Sequence, residues 1–236
     1  MSTRPKRTLA ERIAELFRAP EESKIYNPLG QLKAGGLKVG SVLSLDTLDL
    51  AGKDFNLLAI HEGKIFADGQ TFRLADYDLE HTPGPSDSGE VLQRRLRVFE
   101  RPSPPPGESP LEMALLWLDD SGPYNPGLEA ECRRDDGKFF IAYDDPNLED
   151  EEFDRVGNLR MAREVAFTTL ADQDGDGTVR PDEITSRSVD MFDYWRQARD
   201  EAGQPYCKYA YVDIDRDTHT FEVWMGEEVS AYRILF

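Results

Sequence analysis

The residues of this chain whose types and spacing best fit a chemical task occupy positions 172–183, DQDGDGTVRPDE. Asp172, Asp174 and Asp176 alternate, Gly177 follows at once, and Glu183 closes the stretch. A hard cation such as calcium takes roughly six to eight oxygen ligands. One tight loop can supply them by converging alternate carboxylates, the backbone carbonyl of Thr178 and a distant, bidentate Glu183. Gly177 stands where the sharp turn needs positive φ, which glycine adopts without a steric penalty. Val179 is the apolar residue expected after the carbonyl ligand. Arg180 breaks the series, because a guanidinium only donates. That vertex falls to water, and the positive charge weakens the ion's hold.

The stretch resembles the EF-hand calcium-binding loop, and the resemblance extends over residues 158–190. It implies a helix-loop-helix with Ca2+ bound by Asp172, Asp174, Asp176, Thr178 through its carbonyl, and Glu183, with Asp182 outside the ligand set. Pro181 is acceptable at the start of the exiting helix, but Arg187 and Ser188 stand where that helix would want apolar residues. EF-hands work in pairs, and the second candidate, DIDRDTHTFEVW at 213–224, has Thr218 in place of the turn glycine and Trp224 in place of the final Glu. It reads as a hairpin turn. The expected site is therefore solitary, with a structural calcium as the first expectation. A regulatory site and a weakly binding loop are the alternatives.

Little else in the sequence points to chemistry. There is no nucleophile elbow, phosphate loop or dinucleotide fingerprint. His61, His81 and His219 do not make a metal-binding spacing, and His61, before a glycine, reads as an exposed loop residue. The formal charge is −18, from 46 acidic against 28 basic residues. That argues against nucleic acid as a partner and suits solubility, cations or basic partners. Cys132 and Cys207 are too distant for a zinc spacing; two free thiols in a reduced cytoplasm are the expectation, and a pairing in an oxidising compartment is the alternative. No apolar run is long enough to span a membrane, and MSTRPKRTLAERIAELFRAP has no apolar core of a secretory signal.

The elements that must position the loop follow from periodicity. Residues 1–24 hold a short amphipathic helix. Thr8 and Glu11 make a capping box, Leu9, Ile13, Leu16 and Phe17 share one face, and Pro20 ends it. Its basic residues offer contact with a membrane surface or a protein partner, against the plainer alternative of packing on its own domain. Residues 25–145 alternate short apolar runs with Gly-containing breaks, including HEG and DGQ, and read as antiparallel hairpins. A further hairpin is expected to turn at DDG. Residues 146–205 change character: Phe153, Val156, Leu159, Ala162, Val165, Ala166 and Leu170 fall at helical spacing, and two helices are expected after 183. Residues 206–236 return to strands that rejoin the earlier sheet.

The expected fold class is α+β: an antiparallel β-rich core, SH3-like barrel or sandwich, with an inserted EF-hand-like helix-loop-helix. The runs LKVGSVLSLDTLDLAGKDFNLLAI, FRLADYDLEH and LQRRLRVF resemble uncharacterised bacterial domains built on a small SH3-like barrel. The expected function is a calcium-binding, non-enzymatic interaction or scaffold protein. The alternative is an enzyme or carbohydrate-active domain with a structural calcium.

Overall fold

The decisive local feature is strict alternation over long stretches. In LADYDLEH, Leu74, Asp76 and Asp78 point one way, and Ala75, Tyr77 and Leu79 the other. Both sets are largely buried, so this strand has packed material on both faces. In a computed structural model, which describes residues 37–45, 50–51, 53–67, 70–83, 89–101, 109–143, 150–156, 163–172, 179–200, 202–230 and 234–235, that demand is met by a barrel with a layer outside it.

The strands are β1 (Val42–Leu45), β2 (Asp54–Ala67), β3 (Gln70–His81), β4 (Leu92–Glu100), β5 (Leu111–Pro123), β6 (Lys138–Ile141), β7 (Glu151–Arg155), β8 (Arg163–Ala171), β9 (Ile184–Arg199), β10 (Pro205–Asp215), β11 (Thr220–Glu228) and β12 (Ile234–Leu235). One helix, α1 (Pro126–Cys132), is described. The order β2-β3-β4-β5-β11-β10-β9 is antiparallel throughout, and β8 pairs with both β2 and β9. Those eight strands close on themselves. Closure removes free edges and fills the interior with alternate side chains.

Three apolar clusters result. Ile65, Leu74, Leu116, Val165, Phe167, Val189, Met191, Tyr211 and Trp224 belong to the cluster inside the barrel. Outside β2 to β5, Phe55, Leu57, Tyr77, Leu79, Leu96, Val98 and Met113 pack with Leu43, Leu45 and Ile234 of the short β1–β12 pair. Outside β9 to β11, Phe192, Tyr194, Val212, Ile214 and Val223 pack with Cys132 of α1 and with Phe139, Ile141 and Phe153 of the β6–β7 pair. Gly63 faces inward at the seam, where an added Cβ would lie 2.6 Å from Val165 Cγ1. Gly226 lets β11 approach β5, where a Cβ would meet the Leu115 carbonyl oxygen at 2.4 Å.

The core is β-rich, as expected, and β10 and β11 lie between β9 and β5. The turn at residues 216–219 joins them as a hairpin. Other expectations are corrected. Residues 151–155 and 163–171, expected as helix, are β7 and β8. In β8, Val165 and Phe167 are buried while Glu164, Ala166 and Thr168 are exposed, a period of two supplied by β-branched and aromatic residues that favour strands. The apparent helical spacing joined Phe153 of β7 to Val165, Ala166 and Leu170 of β8 in one series. Residues 184–199, also expected as helices, form the 16-residue β9. Its middle is buried on both faces, inside by Val189 and Met191 and outside by Phe192 and Tyr194. A continuous buried run loses the alternation that marks a strand.

Two smaller corrections concern breaks. HEG does not interrupt β2, which runs through it. GLEAEC, expected as a strand, lies in α1, whose N-cap is Asn125; its side chain accepts from the Gly127 and Leu128 N–H groups. Pro126 suits the first helical position. The turn at DDG is present, with Gly137 at φ 65°. Cys132 and Cys207 are both free thiols. The amphipathic segment 1–24 lies outside the described residues. No described helix is long and apolar enough to cross a membrane.

Candidate functional site

The loop 172–183 connects β8 to β9, and the pair Leu170↔Ile184 closes its base. Its flanks are strands, so the helix-loop-helix implied by the sequence is not formed by the described residues on either side. Of the expected ligands, Asp174, Asp176 and Thr178 lie outside the described residues. Asp172 follows the end of β8 and is half-buried. Glu183 ends a 3-10 turn, Pro181–Glu183, and is buried. Its Oε2 accepts the Arg180 N–H at 2.7 Å, and its own N–H donates to the Arg180 carbonyl at 3.0 Å. These two bonds close the 3-10 turn at the end of the loop. No group of three or more His, Cys, Asp or Glu able to hold a metal occurs among the described residues. The two described candidates are oxygen donors of the kind calcium takes.

The mouth of the barrel beside this loop is polar. His61 of β2 faces Thr169 of β8 and Asp78 of β3. Its Nδ1 lies 2.8 Å from Thr169 Oγ1, and its Nε2 lies 2.8 Å from Asp78 Oδ2. The edge of Phe167 meets its ring. Asp78 is also held by Arg95 of β4, whose Nε donates to Oδ1 at 2.7 Å. Arg95 stacks on Trp224 of β11, 3.9 Å from the ring centroid, and donates to Glu222 at 3.2 Å. The Trp224 indole N–H donates to the same carboxylate at 2.9 Å.

One layer deeper, Arg97 of β4 is wholly buried. It makes a two-pronged contact with Asp76 of β3 at 2.8 and 2.7 Å, and donates to Asp213 of β10 at 2.7 Å. Its guanidinium also lies over Tyr211. The strand registers bring these groups together: Asp76↔Arg97 and Asp78↔Arg95 are direct cross-strand pairs, as is Asp213↔Glu222. Paired forks of this kind are the strong form of carboxylate recognition.

The electrostatics follow from burial and pairing. Burial by itself would raise the Asp76 and Asp78 carboxyls, but Arg97 and Arg95 outweigh it, and both are held below the usual carboxylate range. Burial would likewise lower Arg95 and Arg97, and their carboxylate partners hold them protonated instead. Asp193 of β9 differs. Burial dominates there and pushes it up to about 6, against the pull of Arg163, 3.1 Å away.

The carboxylates of the second candidate loop serve the fold. Asp213 pairs with Arg97, Asp215 accepts the N–H groups of Asp217 and Thr218, and Asp217 accepts the Ser188 N–H. That stretch is a hairpin turn, as its sequence implied, with His219 at φ 55°.

Sequence reasoning passed over His61, Asp76, Asp78, Arg95 and Arg97. His61 was expected in an exposed loop and is instead buried within β2. The available signal was the charged residues of DYD and RRLR alternating with apolar neighbours that themselves need burial. Two-sided burial of such strands implies polar partners inside. No family model matches the chain, and neither a curated protein nor a solved structure shows significant similarity to it.

Proposed function

We propose that this chain is a calcium-binding, non-enzymatic interaction or scaffold protein, carrying one ion in the loop 172–183 with a structural role. The observation that carries the proposal is the loop sequence, in which Asp172, Asp174, Asp176, Gly177, Thr178 and Glu183 fill the demanding positions of a calcium loop. The structural role is supported by the flanks. An ion bound between β8 and β9 would brace a hairpin whose strands are staves of a closed barrel. No pair of described helices flanks the loop to open an apolar groove.

Bound there, calcium supplies charge neutralisation and a fixed loop shape. The chain's own residues supply the rest. Glu183 is already oriented by the Arg180 N–H, and Asp172 is anchored at the end of β8. Titration calorimetry in metal-free buffer tests the proposal. Saturable heat that Glu183→Ala removes is expected. Silence at millimolar calcium sinks it.

A second proposal, an enzyme with a structural calcium, is favoured by one observation. Thr169, His61 and Asp78 form a hydroxyl–imidazole–carboxylate chain at the barrel mouth, the arrangement used to activate nucleophiles. Against it stands the filled barrel interior, where the same contacts satisfy a buried histidine. Ester hydrolysis lost in both Thr169→Val and His61→Gln would favour the enzyme.

A further inference from the structure

A different part of the barrel carries two cations that make no ion pair among the described residues. Lys64 of β2 and Arg73 of β3 are direct cross-strand neighbours on the outer face. Like charges placed opposite each other destabilise a sheet. Neither side chain has an ion pair or hydrogen bond among the described residues, whereas Arg95, Arg97, Arg101, Arg133, Lys138 and Lys208 are all paired with carboxylates. Arg73 stands opposite Glu100 of β4 and Glu62 is the next outward residue of β2, yet neither carboxylate reaches ion-pair distance of the two cations.

Both cations line a groove of about 400 Å³, within the range of roughly 300–1,000 Å³ that holds small ligands. The outward-facing Ala75, Val98 and Ala166 give it apolar lining, and Glu62 and Glu100 stand at its sides. Phe66, 75% exposed on the same face of β2, lies beyond the Lys64–Arg73 pair, on the side away from Ala75. The surface thus offers two adjacent cations beside an apolar track.

We propose that this groove binds a small amphipathic monocarboxylate, a free aliphatic acid, with its carboxylate between Lys64 and Arg73 and its chain along Ala75 and Val98. The two acids limit the ligand's charge. Glu62 and Glu100 flank the cations without pairing to them and repel anions, and a monoanion meets the least of that repulsion while keeping both charge-assisted contacts. A phosphate dianion meets additional repulsion. The site is separate from the calcium loop and does not depend on it.

The probe is sodium octanoate, titrated below its micellar range into the full chain and followed by amide NMR. Saturable shifts at Gly63, Ala75, Val98 and Thr168 are expected, with 1-octanol and octyl phosphate each binding about tenfold more weakly. A Lys64→Ser/Arg73→Ser double variant should weaken octanoate by about tenfold or more. Both positions are exposed, and a well-dispersed amide spectrum verifies folding of the variant. Non-saturable shifts, equal binding by the double variant, or shifts confined to the barrel mouth overturn the proposal. It is overturned equally if Leu16→Asp/Phe17→Asp shifts the same amides without octanoate. That result would assign the groove to the chain's own amino-terminal segment.

Discussion

Arg97 illustrates how much one residue can hold. It is wholly buried between Asp76 and Asp213 and has Met191 Sδ against its Nη1. Removing one partner of a buried ion pair leaves an uncompensated charge, at a cost of about 3–5 kcal/mol. Arg97→Ala strands two carboxylates and should lose at least that much in urea unfolding. Replacing all three together, as Arg97→Met with Asp76→Leu and Asp213→Leu, should recover most of the loss. A triple variant as unstable as the single one would show that the network does more than neutralise itself.

The buried carboxyls also set opposite pH responses. Asp76 and Asp78 are depressed in the fold. Their contribution is present above the ordinary carboxylate range and is lost as pH falls through their folded values. Asp193, raised to about 6, has the other sign. The folded state then binds more protons than the unfolded chain between the ordinary carboxyl value and 6, so stability falls as pH rises through that window. The difference between wild type and Asp193→Asn, measured by urea midpoints, should change between pH 4 and 7 by on the order of 2–3 kcal/mol. The wild type should lose the more stability on going up in pH. A constant difference would mean that Asp193 ionises as an ordinary carboxyl.

Among the elements, β8 is the one that closes the barrel, and it does so with a short overlap on β2. Only residues 59–62 of β2 pair with it, opposite 168–171. Val165 and Phe167 fill the space in front of Gly63. Phe167→Ala should cost about 3–5 kcal/mol, the range for emptying a buried aromatic site. Gly226→Ala tests the opposite limit. A methyl there would sit 2.4 Å from the Leu115 carbonyl oxygen, and backbone cannot move aside as a flexible side chain can. A loss of about 1–3 kcal/mol is expected, whereas Gly122→Ala, whose nearest neighbour is a Phe221 ring carbon at 3.2 Å, should lose less. Equal losses would place the tight contact elsewhere.

Legibility differed between elements for physical reasons. The β10–β11 hairpin was clear from Tyr211, Val212 and Ile214 running into DRDTHT. β9 was not, because its central residues are buried on both faces and carry no periodicity. β7 and β8 were misassigned because Phe153 of one and Val165, Ala166 and Leu170 of the other fell by chance on one helical wheel. The carboxylate pattern of residues 172–183 was readable because it lies in neighbouring residues. The Arg95 and Arg97 network was not, because each contact spans separate strands.

For the whole molecule, a single barrel with two outer layers joins the acidic loop to the polar mouth. Calcium bound only by the native loop stabilises by mass action, by about 2.7 kcal/mol at a hundredfold excess over Kd. Thermal unfolding should therefore move up with calcium in wild type and remain fixed in Glu183→Ala. Magnesium should act weakly, since it demands a tighter octahedral shell. An upward shift in Glu183→Ala equal to that of wild type would place the ion elsewhere on this acidic surface.

The sequence by itself determined the carboxylate spacing of residues 172–183, the β-rich character, the terminal hairpin and the net charge. Each is written in neighbouring residues or in simple sums. Tertiary structure alone decided that the loop joins two strands of a closed barrel. It also decided that His61 is buried between Asp78 and Thr169, and that Lys64 and Arg73 face each other across an outer groove. Those outcomes depend on strand register. Register is set by the simultaneous burial of two faces of the same strands, and that condition can be evaluated only once all eight staves are in place.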